Sequence, residues 1–398
     1  MERKTVVIGV TGGVAVYKAL DVISRLRKKD IDVHVIMTKS AGEFVNPLSF
    51  QSLSQNMVVT NMFDEPKHWE IQHISLAKKA DLMLIVPATA NIIGKVANGI
   101  ADDMLSTTIM ATHAPVVFAP AMNTNMYLNP IVQNNIQKLK DYGYKFIEPE
   151  SGRLACGDVG AGKLADTELI ADKVISMLYP IKDMAGKKVL VTAGPTWSLI
   201  DPVRFITNRS SGKMGYAIAE EARDRGAEVT LVSGPTSLKA PFGINTINIT
   251  TNEEMLNEVL EHFSSQDIVI KAAAVADYKP VEYSQNKIKK ASDELVLNFA
   301  KDTDILKKLG EIKQNQVLVG FAAESNDLIS NAESKLKKKN LDYIVANDIT
   351  SSDTGFQSSE NRVTILTREG KKLSLEKMSK REVAQKLFDI INNKNKEV

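Results

Sequence analysis

Two stretches of this chain, far apart, each open as a strand–turn–helix unit of a nucleotide-binding sheet opens. Residues 4–20 read KTVVIGVTGGVAVYKAL and residues 188–216 read KVLVTAGPTWSLIDPVRFITNRSSGKMGY. In both, a short β-branched run stops at small residues and helical periodicity follows, as for a parallel strand buried on both faces. Two such beginnings in 398 residues, a length beyond one ordinary core, predict two α/β domains, each with its own ligand crevice.

The first half keeps a strand–helix alternation. Strands are expected at residues 6–10, 33–37, 82–86 and 116–119, and helices at 17–29, 70–79, 98–112 and 131–142. That is the pattern of a doubly wound, Rossmann-like sheet, which takes ligands at the carboxyl ends of its strands. Residues 148–166, EPESGRLACGDVGAGKLAD, lack apolar periodicity and carry Gly152, Gly157, Gly160 and Gly162, so a long loop, functional or disordered, is expected there. A helix over 169–177 closes the first domain, 1–178. Residues 179–187, punctuated by Pro180 and Gly186, read as a linker. In the second domain, 188–398, strands are expected at 188–192, 228–232, 268–272, 317–321 and 343–347. A helix is expected at 216–225, a late hairpin joins 363–367 to 372–375 around Glu369-Gly370, and a helix over 379–392 closes the chain.

Net charge is +2, which argues against a general binder of nucleic acid or of anionic membrane. No apolar run is long enough to cross a bilayer. The single cysteine, Cys156, cannot form an intrachain disulfide, and the first residues enter a strand without a leader pattern. A cytoplasmic protein is the expectation.

In the first half, Gly12-Gly13 follows the first strand, where backbone N–H groups and a helix N-terminus favour phosphate. The spacing GVTGGVA is not GxGxxG, and glycine turns of this kind often only pack. Thr38-Lys39-Ser40 and Pro87-Ala88-Thr89-Ala90-Asn91 add hydroxyls at two further strand ends, which favours a phosphorylated cofactor. His73 in HISLA, Asn123 in PAMNTNMY and Cys156 in SGRLACGDVGAG would each, alone, read as structural residues. Together these segments resemble the homo-oligomeric flavin-containing cysteine decarboxylases, in particular phosphopantothenoylcysteine decarboxylase, over roughly residues 1–178. Tyr127 stands where related decarboxylases also use Trp. The resemblance implies FMN on Gly12, Gly13, Thr38, Ser40, Thr89 and Ser106. It implies that His73 assists thiol oxidation, that Asn123 grips the substrate carboxylate and that Cys156 donates a proton. A flavin suits this chemistry. Direct loss of carbon dioxide from a cysteine carboxylate leaves an unstabilised carbanion, whereas oxidation of the thiol to a thioaldehyde supplies an electron sink.

In the second half, Asn208-Arg209-Ser210-Ser211-Gly212 precedes a helix, with Arg204 and Lys213 adding charge, which suits a phosphate nest better than a simple capped start. Asp277 in AAAVADYKP follows a strand end, where Mg²⁺ ligands often sit. Lysines 287, 289 and 290 in KIKK could meet a triphosphate, although basic runs are usually solvated faces. The combination GPT…IDPVR…NRSSG with ADY…KIKK resembles phosphopantothenate–cysteine ligase over roughly residues 186–390. Fusion of the two is the arrangement of the bacterial bifunctional coenzyme A biosynthesis proteins, in which the ligase makes the decarboxylase's substrate. The resemblance implies joining of 4'-phosphopantothenate to L-cysteine with CTP and Mg²⁺ through an acyl-cytidylate. Asn208 is implied at the acyl-cytidylate, and Lys287 at the second step and CTP. Further CTP contacts are implied at Ala273, Asp277, Thr303, Asp304, Ile305, Leu306, Phe321, Lys335 and Lys339, with Arg204, Ser210, Ser211 and Gly212 on the substrate phosphate and Asp277 on the metal. It also implies decarboxylase trimers and ligase dimers, hence a dodecamer. One departure stands out: Trp197-Ser198 replaces a common Arg-Glu pair, and no role is assigned to it.

Two rivals compete. A short-chain NAD(P) oxidoreductase explains a glycine turn, but no Tyr-x-x-x-Lys pair lies in a suitable helix. A nucleic-acid module explains the lysine clusters but not the near-zero net charge.

Overall fold

The computed structural model describes residues 3–63, 71–178, 182–289, 295–324, 328–348 and 360–394. The chain forms two compact units, residues 1–180 and 181–398.

In the first unit, β1 (Thr5–Val10), β2 (Asp32–Met37), β3 (Val58–Val59), β4 (Leu82–Ala88), β5 (Val116–Pro120) and β6 (Lys145–Phe146) build one parallel sheet in the order β3-β2-β1-β4-β5-β6. Side chains alternate across it. Val6, Ile8 and Val10 enter one core with helices Val16–Arg27 and Thr167–Leu178; Val7 enters the other with Ala90–Ala97, Met104–Ala111 and Pro130–Asp141. Burial on both faces is why β1 reads as an unbroken apolar run.

Two expectations need correction. The helix expected over 98–112 starts only at Met104. Gly99, at φ +68°, follows the end of helix Ala90–Ala97. Asp103 then caps the new helix, accepting from Ser106 N at 2.8 Å while Ser106 Oγ accepts from Asp103 N at 3.1 Å. The loop expected over 148–166 is instead a hairpin, β7 (Glu150–Arg153) against β8 (Val159–Lys163). Its glycines are there for close approach. A Cβ on Gly160 would lie 2.6 Å from Thr124 Oγ1, and one on Gly162, at φ +122°, would lie 2.4 Å from Met122 O. Met122 N donates to Gly162 O at 2.9 Å and holds the hairpin down.

In the second unit, the strands are β9 (Lys188–Ala193), β10 (Trp197–Leu199), β11 (Phe205–Thr207), β12 (Glu228–Ser233), β13 (Asn245–Asn248), β14 (Ile268–Lys271), β15 (Tyr278–Pro280) and β16 (Phe299–Lys301). They continue as β17 (Val317–Glu324), β18 (Tyr343–Asp348), β19 (Glu360–Asn361), β20 (Val363–Thr367), β21 (Lys372–Ser374) and β22 (Met378–Ser379). The main sheet runs β13-β12-β9-β14-β17-β18-β20-β21, parallel through β18 and antiparallel beyond. The pairs β10–β11, β15–β16 and β19–β22 stand outside it. Helix Lys380–Lys394 packs on helix Lys213–Asp224 through enclosed charges. Arg381 meets Glu221 at 2.7 Å and Asp224 at 2.5 Å, and Arg225 meets Glu221 at 2.7 Å and Asp389 at 2.5 Å. Such pairs fix an orientation more than they add stability.

In both sheets the strand order reverses beside the first strand, between β1 and β4 and between β9 and β14. Doubly wound sheets bind ligands at the carboxyl side of that reversal. Among the described residues, no helix is long and apolar enough to cross a membrane.

Candidate functional sites

At the first reversal, Thr11 ties the ends of β1 and β4 together. Its hydroxyl donates to Pro87 O at 2.6 Å, accepts from Thr89 N at 3.1 Å and lies 3.2 Å from Thr89 Oγ1. Thr11 was not among the candidates, because a single hydroxyl between Val10 and Gly12 carries no motif. A Cβ on Gly12 would strike Ser40 at 2.5 Å, so Gly12 lets the first turn rest on the second; Gly13 is open, with Thr89 Cγ2 at 3.8 Å. Thr38 accepts from Ala41 N at 3.3 Å. Helices Val16–Arg27 and Ala90–Ala97 begin without a side-chain cap, which leaves first-turn N–H groups for an anion. This donor set, around a glycine with room beside it, fits a phosphorylated flavin. Ser106 stands apart: it is fully buried and its hydroxyl is committed to Asp103, at 2.9 Å from Oδ1.

The other residues of this unit meet at the tip of the β7–β8 hairpin. Asn123 caps the short helix Thr124–Leu128, with its Oδ1 accepting from Asn125 N at 2.8 Å, which aims its amide nitrogen outward. That nitrogen donates to Asp158 Oδ2 at 2.9 Å and to Cys156 Sγ at 3.4 Å. The Cys156 thiol in turn donates to Asp158 Oδ2 at 3.3 Å. Thus Asn123 and Cys156, 33 residues apart, come together, and Asp158 joins them. Asp158 was overlooked although the i, i+2 spacing from Cys156 in a hairpin could have found it. Tyr127 OH donates to Glu148 at 2.8 Å; burial and this carboxylate push the phenol up to about 12. His73 is the second residue of helix Gln72–Lys79 and hydrogen-bonds to no described residue.

At the second reversal the turns after β9 and β14 are laced together. Thr192 Oγ1 accepts from Ala273 N and Thr196 Oγ1 from Ala276 N, each at 3.2 Å, while Ala274 N donates to Gly194 O at 2.9 Å. Asn208 fastens to the same backbone, its amide donating to Ala274 O at 3.1 Å and Val275 O at 3.0 Å. Gly212, at φ +77°, precedes helix Lys213–Asp224 without a side-chain cap; Ser210 Oγ accepts from Gly212 N at 3.3 Å, and Ser211 adjoins it. Asp304 caps helix Ile305–Ile312 and pairs with Lys339 at 2.7 Å, so Thr303, Ile305 and Leu306 stand at that helix start. Phe321 lies in β17 and Lys335 in helix Leu328–Lys338. Asp277 is exposed beyond β14.

Arg204, expected on a phosphate, is engaged elsewhere. Its Nε and one terminal nitrogen donate to Asp201 Oδ2 at 3.0 and 2.5 Å, and that terminal nitrogen also reaches Ile288 O at 3.0 Å. Asp201 further accepts from Ile288 N at 3.1 Å. The pair therefore pins the segment that carries Lys287. Arg204 beside Asp201 holds that buried carboxyl well below the usual range. Asp201 had carried no assignment, since Asp before Pro reads as a turn residue. Trp197 stacks on Phe205, with centroids 3.9 Å apart, and Ser198 donates to Tyr278 O at 3.0 Å, so the departing pair builds the β10–β11 hairpin. Lys290 lies outside the described residues.

Comparison with known proteins follows the same division. Residues 1–179 match the Flavoprotein family, and residues 184–394 match the DNA/pantothenate metabolism flavoprotein C-terminal domain. The coenzyme A biosynthesis bifunctional protein CoaBC of Bacillus subtilis is 48% identical over 395 residues, which is 98% of this chain and 96% of that one. Its namesake from Borreliella burgdorferi is 45% identical over 98% of this chain and 99% of its own. That from Escherichia coli is 41% identical over 93% and 92%. With both units matched in order and nearly the whole length shared, the chain belongs to the bifunctional coenzyme A biosynthesis enzymes, a flavoprotein decarboxylase unit followed by a ligase unit.

Proposed function

We propose that the second unit joins 4'-phosphopantothenate to L-cysteine using CTP and Mg²⁺, by way of an acyl-cytidylate, and that the first unit decarboxylates the product to 4'-phosphopantetheine with FMN. The meeting of Asn123, Cys156 and Asp158 carries the decarboxylase reading. Asn123 already donates to a carboxylate, at 2.9 Å, and a substrate carboxylate in that place receives the same donor. Cys156 holds its proton beside it and delivers it to the substrate carbon after carbon dioxide has left. Bound FMN supplies the two-electron oxidation of the substrate thiol and its reversal. Gly12, Gly13, Thr38, Ser40 and Thr89 would hold FMN at the β1–β4 reversal, with His73 as the proposed aid to thiol oxidation.

In the ligase unit, Asn208 keeps the turn after β14 in place and serves the acyl-cytidylate step. Lys287, on the segment pinned by Asp201 and Arg204, supplies the cation needed when cysteine displaces CMP. Mg²⁺ would be held by Asp277 together with phosphate oxygens of the nucleotide, an ordinary arrangement for this ion. Assembly into decarboxylase trimers and ligase dimers, and a cytoplasmic location, belong to the same reading.

The test is direct. The purified chain is incubated with 4'-phosphopantothenate, cysteine, Mg²⁺ and one nucleotide, and products are followed by mass. CTP should give phosphopantetheine, and flavin-depleted protein should stop at phosphopantothenoylcysteine. Equal turnover with ATP would sink the CTP assignment.

A further inference from the structure

Lys271 is the last residue of β14, on the crevice side of the strand-order reversal, paired in register with Thr192 of β9. The residues before it alternate between the two cores, with Ile268 and Ile270 in one and Val269 in the other. Lys271 therefore points to the side of Val269, Leu306 and Leu336, under the helices Ile305–Ile312 and Leu328–Lys338. A lysine there is anomalous for a core strand end. The residue is half-buried, and its ammonium is packed round by protein. Burial, with Lys339 alongside, pulls it down to about 8.

Its hydrogen bonding is incomplete. An ammonium has three donors. Among the described residues, Lys271 has one hydrogen-bond partner, Ala273 O at 3.1 Å. The charges around it are Lys335 and Lys339 on one helix, Asp304 at the start of another, and Asp277 beyond the strand. Asp304 is already taken by Lys339 at 2.7 Å and by Lys307 N at 3.1 Å. Lys339 thus competes with Lys271 for Asp304. A desolvated cation with open donors, and with no carboxylate within ion-pair distance among the described residues, destabilises the empty fold and suits an arriving anion.

The geometry points to Lys271 as a further nucleotide-binding residue, whose ammonium takes a phosphate oxygen of the nucleotide at the β9–β14 reversal. It is not among the contacts that the family resemblance implies. The inference rests on the reading of this unit as a CTP-dependent ligase.

The test uses the full chain with Lys271→Met, which keeps the stem and removes the charge, and Lys271→Gln, which can keep the bond to Ala273 O. Binding of Mg·CTP and of cytidine is measured by calorimetry, and melting temperature is measured without nucleotide. Both variants should melt at or above the wild-type temperature, bind Mg·CTP about tenfold or more weakly, as expected for a lost charge-assisted hydrogen bond, and bind cytidine unchanged. Unchanged Mg·CTP affinity in either variant overturns the assignment. So does an equal loss for cytidine, which would place the contact on the nucleoside, or a lowered melting temperature in both variants with CTP affinity intact, which would make Lys271 structural. If the wild-type chain itself binds no Mg·CTP, the ligase reading falls first and this inference with it.

Discussion

Gly162→Ala should silence the decarboxylase without unfolding its domain. Gly162 sits at φ +122°, and a Cβ there would lie 2.4 Å from Met122 O, against a backbone atom that cannot swing aside. Backbone strain of this kind alone costs on the order of 1–3 kcal/mol. The overlap adds to it and opposes the bond from Met122 N to Gly162 O. A two-stranded hairpin has little stability of its own, so the strain is relieved by lifting β7–β8 away from residues 122–124 rather than by disturbing the sheet. Lifting takes Cys156 and Asp158 off Asn123. If the docked form is disfavoured by that 1–3 kcal/mol, decarboxylation falls about 5- to 150-fold. The assay is conversion of phosphopantothenoylcysteine, with bound flavin read by absorbance and ligase turnover measured separately; both should hold. Gly143→Ala is the control. Gly143 also has positive φ, +90°, but no atom lies within 4 Å of its Cβ, so it should lose about 1 kcal/mol of stability and no activity. A Gly162→Ala enzyme that decarboxylates at the wild-type rate, with its hairpin in place, would refute the argument.

Cys156→Ser should stop late, accumulating oxidised, decarboxylated enethiol with the flavin reduced; phosphopantetheine made at the normal rate would remove its role as proton donor. Asp201→Asn should release Arg204 and Ile288, cutting ligase turnover while leaving decarboxylation intact. Because the folded carboxyl of Asp201 titrates below the unfolded one, its contribution is complete above about pH 4 and fades as pH falls toward the folded value. Denaturant titrations should therefore show wild type losing its advantage over Asp201→Asn in acid, and a constant gap would count against the assignment. Asn208→Asp turns a carboxylate toward Ala274 O and Val275 O and should leave little trapped acyl-cytidylate. Lys287→Gln should still release pyrophosphate, slowly, and retain the acyl-cytidylate; chromatography of products from labelled CTP distinguishes the two.

Strands buried on both faces were the most legible part of the fold, because β-branched runs such as Val6–Ile8 and Val189–Val191 leave no alternative to a central parallel strand. The helices between them were less so. Asn252–Phe263, capped by Thr251, Ile305–Ile312, capped by Asp304, and Leu328–Lys338 bury only narrow stripes, and the sequence pattern assigns no element to them. Glycine misled in one place: in residues 148–166 it marked contact with Thr124 and Met122, not a loop. Site residues were readable where they sat in a motif. Thr11 and Asp201 work through partners 76 and 87 residues away, and spacing along the chain does not reveal a bond across it.

The charged seam between helices Lys213–Asp224 and Lys380–Lys394 has a temporal meaning. The first of these helices begins at Gly212, beside the Ser210–Gly212 nest, yet its other face is completed by Arg381 and Asp389, supplied by the final helix. During synthesis the flavoprotein unit has all its core residues once Leu178 has emerged. The ligase unit waits for Ile391, leaving Glu221 and Asp224 without their arginine partner from the last helix until then. A ribosome stalled before Lys380 would thus display a folded flavin domain tethered to an unfinished ligase, and a proteolytic cut at the same place would silence one activity while sparing the other.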